Sequence, residues 1–77
     1  MALASPEEAV ERLHRFCDVI AEREMSITER MRELADLLGV NLTTVYRWRN
    51  GSSPVSPIAA NALHNAIGKM EKKYDLA

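Results

Sequence analysis

Residues 31–50 read MRELADLLGVNLTTVYRWRN. Met31, Leu34, Ala35 and Leu38 fall at i, i+3, i+4 and i+7, which is one face of a helix. Gly39 follows as a natural stop, because it takes the left-handed conformation without a Cβ clash. Val40 bridges to Asn41, a residue type that caps helix starts. Leu42, Val45 and Trp48 then form a second, narrower apolar stripe, while Thr43, Thr44, Tyr46, Arg47 and Asn50 point elsewhere. Asn50-Gly51 ends this second helix. The stretch therefore predicts two short helices joined by a tight turn. Ala35 is small enough to let the two backbones approach, and Gly39 lets the chain swing through roughly 90–120°. Val40 anchors the turn, and Val45 and Trp48 hold the second helix against the core.

The flanks carry the same kind of punctuation. Upstream, Ser26-Ile27-Thr28-Glu29 is a cap followed three residues later by Glu, a capping box. Ser5-Pro6-Glu7-Glu8 is another, with proline at the first helical position. Val10, Leu13, Phe16, Cys17 and Ile20 form the inner face of that first helix, which is expected to end near Glu24. Glu7, Glu8, Glu11, Arg12, Arg15 and Asp18 fill its outer face. Downstream, residues 52–55 read as a loop and Ser56-Pro57 opens a fourth helix. Its expected inner face is Ala59, Ala62, Leu63, Ala66, Ile67 and Met70, with Gly68 as a weak point that ends or kinks it. Residues 71–77 are expected to be a frayed or short helical tail. No strand pattern, repeat or low-complexity segment is present. The expected fold class is all-α: a compact bundle of four short helices, or five if the tail adds one, in a single domain over residues 1–77.

Seventy-seven residues suffice for one small core, whose stability can lean on a partner subunit. The single cysteine, Cys17, rules out an internal disulfide and suits a reducing cytosol. Its neighbour one turn away, His14, does not complete a metal site, because two ligands are too few for zinc. Residues 1–4 are small and apolar, but Glu7 and Glu8 follow, so they do not read as a signal peptide. No apolar run approaches the roughly 18–20 residues needed to span a bilayer. A nucleophile–base pair, a glycine-rich phosphate loop after a strand and a metal cluster are all lacking, so catalysis is not expected. No cofactor or small-molecule ligand is expected either.

Net charge is −1, yet it is unevenly distributed. Residues 1–40 carry nine acidic and five basic side chains, whereas residues 41–70 carry Arg47, Arg49 and Lys69 and no acid. Contact with phosphate needs a local field of the right sign, not a basic whole.

The pattern Leu34-Ala35, Leu38-Gly39-Val40, Asn41, Val45 and Trp48 resembles the helix-turn-helix of the lambda-repressor-like family, which includes phage Cro and repressor proteins. Asn50-Gly51, Pro54 or Pro57, and Leu63 fit the way that family often continues. The resemblance covers about residues 26–68, with the helix-turn-helix itself at about 26–50. The chain departs from it in the long helix before the turn and in the acidic first helix. Glu29, Arg30 and Arg32 also stand where the family often has Gln or Ser.

The resemblance implies that base readers lie at the start and on the outer face of the second helix of the motif, here Leu42, Thr43, Tyr46 and Arg47. Arg47 is the strongest candidate, since a guanidinium donates two hydrogen bonds to guanine O6 and N7. Asn41, Thr44, Arg49 and Asn50, with Arg30 and Arg32 from the preceding helix, are the candidate phosphate contacts that fix register. The expected function is sequence-specific binding of double-stranded DNA by a small transcriptional regulator, a repressor of phage Cro or bacterial type. The expected setting is the cytoplasm, in association with the nucleoid. One recognition helix reads few base pairs, so a homodimer on a palindromic or near-palindromic operator is expected. The rival expectation is a helix-turn-helix scaffold, or an antitoxin, that contacts proteins and binds DNA little.

Overall fold

Ser5 caps the first helix as its chemistry requires. Its hydroxyl accepts the Glu8 N–H at 3.2 Å and Glu8 Oε1 accepts the Ser5 N–H at 3.4 Å, with Pro6 in the first turn. In the computed structural model, which describes residues 4–76, this helix is α1, Pro6–Glu22. It is followed by α2 (Ile27–Leu38), α3 (Leu42–Asn50) and α4 (Pro57–Tyr74). The described residues thus form four helices and no strand, in agreement with the all-α expectation. The readings made on residues 1–3 and 77 lie outside the described residues.

All four helices stop by one device. The residue entering the left-handed region is Glu24 (φ 58°), Gly39 (71°), Gly51 (75°) or Asp75 (53°). Behind each, two reversed hydrogen bonds satisfy carbonyls that the helix leaves unpaired. After α1 these are Met25 N–H to Ile20 O at 3.1 Å and Glu24 N–H to Ala21 O at 3.0 Å. After α2 they are Val40 N–H to Ala35 O at 3.0 Å and Gly39 N–H to Asp36 O at 3.2 Å. α1 therefore closes at Glu22, short of the expected Glu24, because Glu24 leaves the helical well to make this closure.

The core joins Ala9, Leu13, Phe16, Cys17 and Ile20 of α1 to Met31, Leu34 and Ala35 of α2. Val45 and Trp48 of α3 and Ala60, Leu63, Ala66, Ile67 and Met70 of α4 complete its helical part. α1 packs chiefly on α4, and α2 on α3 and α4. Several expected inner positions shift. Ala9 takes the buried place next to Val10, which is half-buried. On α4, Ala60 is buried, Ala59 half-buried and Ala62 exposed, so the apolar stripe is turned from the expected one. Two core residues lie outside the helices. Val55 seals the loop before α4, and Leu76 is buried because its N–H bonds Glu71 O at 2.8 Å and folds it back under the helix end.

Gly68 does not end α4, which continues to Tyr74. A Cβ there would lie 3.4 Å from Arg12 Nη2, in van der Waals contact with a clamp between α1 and α4. Arg12 donates to His64 Nε2 at 2.8 Å and to His64 O at 3.3 Å, and pairs with Glu71. Cys17 is buried against Met31 (Sγ–Sδ 3.8 Å), and burial pushes its thiol pKa up. A thiol in that setting is a packing residue.

Candidate nucleic-acid interface

The link between α2 and α3 is three residues long, Gly39-Val40-Asn41. Val40 is half-buried and packs on the core, and the small Ala35 is buried on α2. α3 is held from within by Val45 at 0 % and Trp48 at 8 % exposure. With its inner face fixed, the outward positions follow from helical geometry. Asn41, Thr43, Arg47 and Asn50 are exposed, while Leu42, Thr44, Tyr46 and Arg49 are half-buried.

The candidate base readers divide accordingly. Thr43 and Arg47 stand free. Leu42 and Tyr46 both pack against the core and offer only part of their surface. The Tyr46 hydroxyl lies 3.4 Å from Thr28 Oγ1, which leans its ring toward the start of α2, and the Arg49 guanidinium sits 6.0 Å from that ring's centroid. Thr28 was not singled out by the sequence reading. Its only signal is a position in the first turn of α2.

Asn41 departs from expectation. It occupies the cap position with extended backbone but makes no side-chain cap hydrogen bond. The reason is local: the Thr44 N–H that its side chain would satisfy already bonds Asn41 O at 3.0 Å. The Asn41 amide is thereby exposed rather than spent on the helix. Ser26 behaves as a cap, accepting the Glu29 N–H at 3.2 Å, but its expected box is half-formed because the Glu29 carboxylate lies 3.5 Å from Arg30 instead.

Of the two arginines on α2, Arg30 is engaged within the protein. Its Nε is 3.0 Å from Glu33 Oε1, an ion-pair contact rather than a well-aligned hydrogen bond. Its guanidinium also lies 4.6 Å from the centroid of the Tyr74 ring. Glu33 in turn accepts from Lys73 Nζ at 2.7 Å and from the Tyr74 hydroxyl. Those two hydrogen bonds, Lys73's first, hold the Glu33 carboxyl below its ordinary pKa, and the same carboxylate raises that of Lys73. Arg32 is exposed, and neither it nor Arg47 enters the ion pairs among the described residues.

Residues 41–70 carry no acid, and the outer face of α3 with its cap residue presents a guanidinium, a threonine hydroxyl and two amides to solvent. Such a set can donate to phosphate oxygens and to acceptors on base edges. Among the described residues no three His, Cys, Asp or Glu side chains cluster to hold a metal ion. Nor is any described helix long and apolar enough to cross a membrane. No family model, curated protein or solved structure matches the chain.

Proposed function

We propose that the chain is a helix-turn-helix protein of the lambda-repressor-like kind that binds specific double-stranded DNA as a homodimer and regulates transcription. In this reading α2 and α3 are the motif and α3 lies in the major groove. Arg47 and Thr43 read bases, helped by the exposed parts of Tyr46 and Leu42. Asn41, Thr44, Arg49, Asn50 and Arg32 touch the backbone. The observation that carries the reading is the outer face of α3. A short helix pinned by Val45 and Trp48 turns Thr43, Arg47 and Asn50 outward, with no carboxylate between residues 41 and 70. Arg30 is the weakest of the proposed backbone contacts, since phosphate would have to draw it from Glu33 and Tyr74.

Selection of bound fragments from random duplex DNA, followed by titration at two salt concentrations, tests this. The expected result is a motif with two-fold symmetry and half-sites about 34 Å apart. Affinity should fall with salt, with a log–log slope of about −1 for each cation seated on a phosphate. No enrichment and no salt dependence would remove the DNA reading. The second reading, a scaffold for protein contacts, draws on the acidic outer face of α1 and would then stand in its place.

A further inference from the structure

A groove of about 520 Å³ runs between the start of α1 and the loop that leaves α3. Its apolar floor is built by Val10, Pro54, Val55 and the edge of Trp48, and Glu7 and Glu11 stand on its rim. The two glutamates are exposed, lie one helical turn apart and enter none of the ion pairs among the described residues. Like charges at that spacing repel each other. A cation seated between them would relieve both at once, whereas DNA phosphate would be repelled. The groove therefore belongs to a different kind of ligand from the one α3 would meet.

We propose that this groove docks a segment of a partner protein that carries apolar side chains flanked by lysine or arginine. Charge decides the class of occupant: an acid-rimmed apolar trough complements a basic amphipathic segment and rejects an acidic one. A second copy of this chain is a poor occupant. The equivalent α1 surface of the copy is itself acidic, with Glu7, Glu8 and Glu11 exposed, and pairing it with itself would oppose like charges. Size agrees with a short segment, because the α1 wall from Pro6 to His14 covers a little over two turns, about 12 Å. Two apolar side chains one turn apart on a partner helix span half of that, leaving room for a cation at the end beside Glu7 and Glu11.

Trp48, the only tryptophan, lines the groove and makes it self-reporting. The probe is a displayed library of random dodecamer peptides, selected on the full chain; recovered peptides are then synthesised and titrated while Trp48 emission is followed. The expected consensus has large apolar residues with Lys or Arg beside them, and binding should perturb the emission saturably. The double variant Glu7→Gln/Glu11→Gln should weaken these peptides about tenfold. Glu22→Gln/Glu24→Gln, at the far end of α1, should leave affinity within about twofold. Circular dichroism confirms that each variant is folded before titration. The proposal is overturned by failure to enrich any sequence, by a neutral or acidic consensus, or by peptides that bind both double variants alike. Operator DNA is titrated separately, so the outcome for the groove does not depend on the proposed DNA binding.

Discussion

Arg47 and Trp48 adjoin in the chain but lie on different faces of α3, since successive residues on a helix are turned about 100° apart. Arg47 is exposed; Trp48 retains 8 % of its surface. Substitutions at the two sites should therefore separate binding from stability. Arg47→Ala is expected to abolish specific DNA binding, a loss of about 1–3 kcal/mol of discrimination per bidentate base contact, with the helical signal and melting temperature nearly unchanged. Gel-shift titration against the selected operator checks this, and equal affinity would take Arg47 out of the readout. Trp48→Ala is expected to cost about 3–5 kcal/mol, because a buried indole leaves a cavity that its neighbours cannot fill. Denaturant unfolding measures it, and a change below about 1 kcal/mol would mean that the indole contributes little.

At the scale of elements, α2 and α4 are tied through Glu33, which meets Arg30, Lys73 and Tyr74. The Glu33 carboxyl has a lowered pKa in the folded protein. Its contribution is therefore present above the unfolded value of about 4.3 and is lost as pH falls through the folded one. The side chain keeps 26 % of its surface, so solvent screens the pair and the effect is modest. Glu33→Gln should destabilise by about 1 kcal/mol at neutral pH, and the gap between variant and parent should close below about pH 4. Unfolding curves across that range decide it; a gap independent of pH would assign the loss to packing. None of this network was legible in the sequence, where Arg30 stands among the candidate phosphate contacts and Lys73 and Tyr74 fall in the expected tail. The helices themselves were legible, because Ser5, Ser26, Ser56, Gly39 and Gly51 punctuate them by local chemistry. What escaped was set by tertiary packing. Val55 and Leu76 carry no periodic signal, since one sits alone in a loop and the other is buried by a backbone closure. On α4, alanines at 59, 60 and 62 can be assigned to a face only when the partner helix is known. On α3 the outward set could be read, but how far Tyr46 leans toward Thr28 could not.

For the molecule as a whole, the proposed homodimer needs a surface. α1 offers acids, and the α3 face is the one proposed for DNA. The start of α4 offers Ile58, exposed to 85 %, with Ala62 exposed one turn further on. Beside them a shallow groove is lined by Leu38, Val40, Trp48, Ser56, Ile58, Ala59 and Ala62, none of them charged. Two-fold pairing sets a surface against its own copy, so a charged patch opposes itself while an uncharged apolar one does not. An isoleucine left this exposed is also what an apolar anchor looks like before its partner is bound. Ile58→Asp should therefore leave the fold intact, since the side chain has almost no contacts to lose within the subunit. It should weaken the dimer by about 2–4 kcal/mol, or roughly thirtyfold to a thousandfold. Sedimentation of parent and variant over a concentration series reads this directly. The same change should abolish cooperative binding to a two-fold operator while sparing the weak affinity for a single half-site, since α3 is untouched. A variant that sediments like the parent would move the dimer interface away from α4. A loss of half-site affinity would mean instead that the start of α4 supports α3 within one subunit, through the groove that Ile58 and Trp48 share.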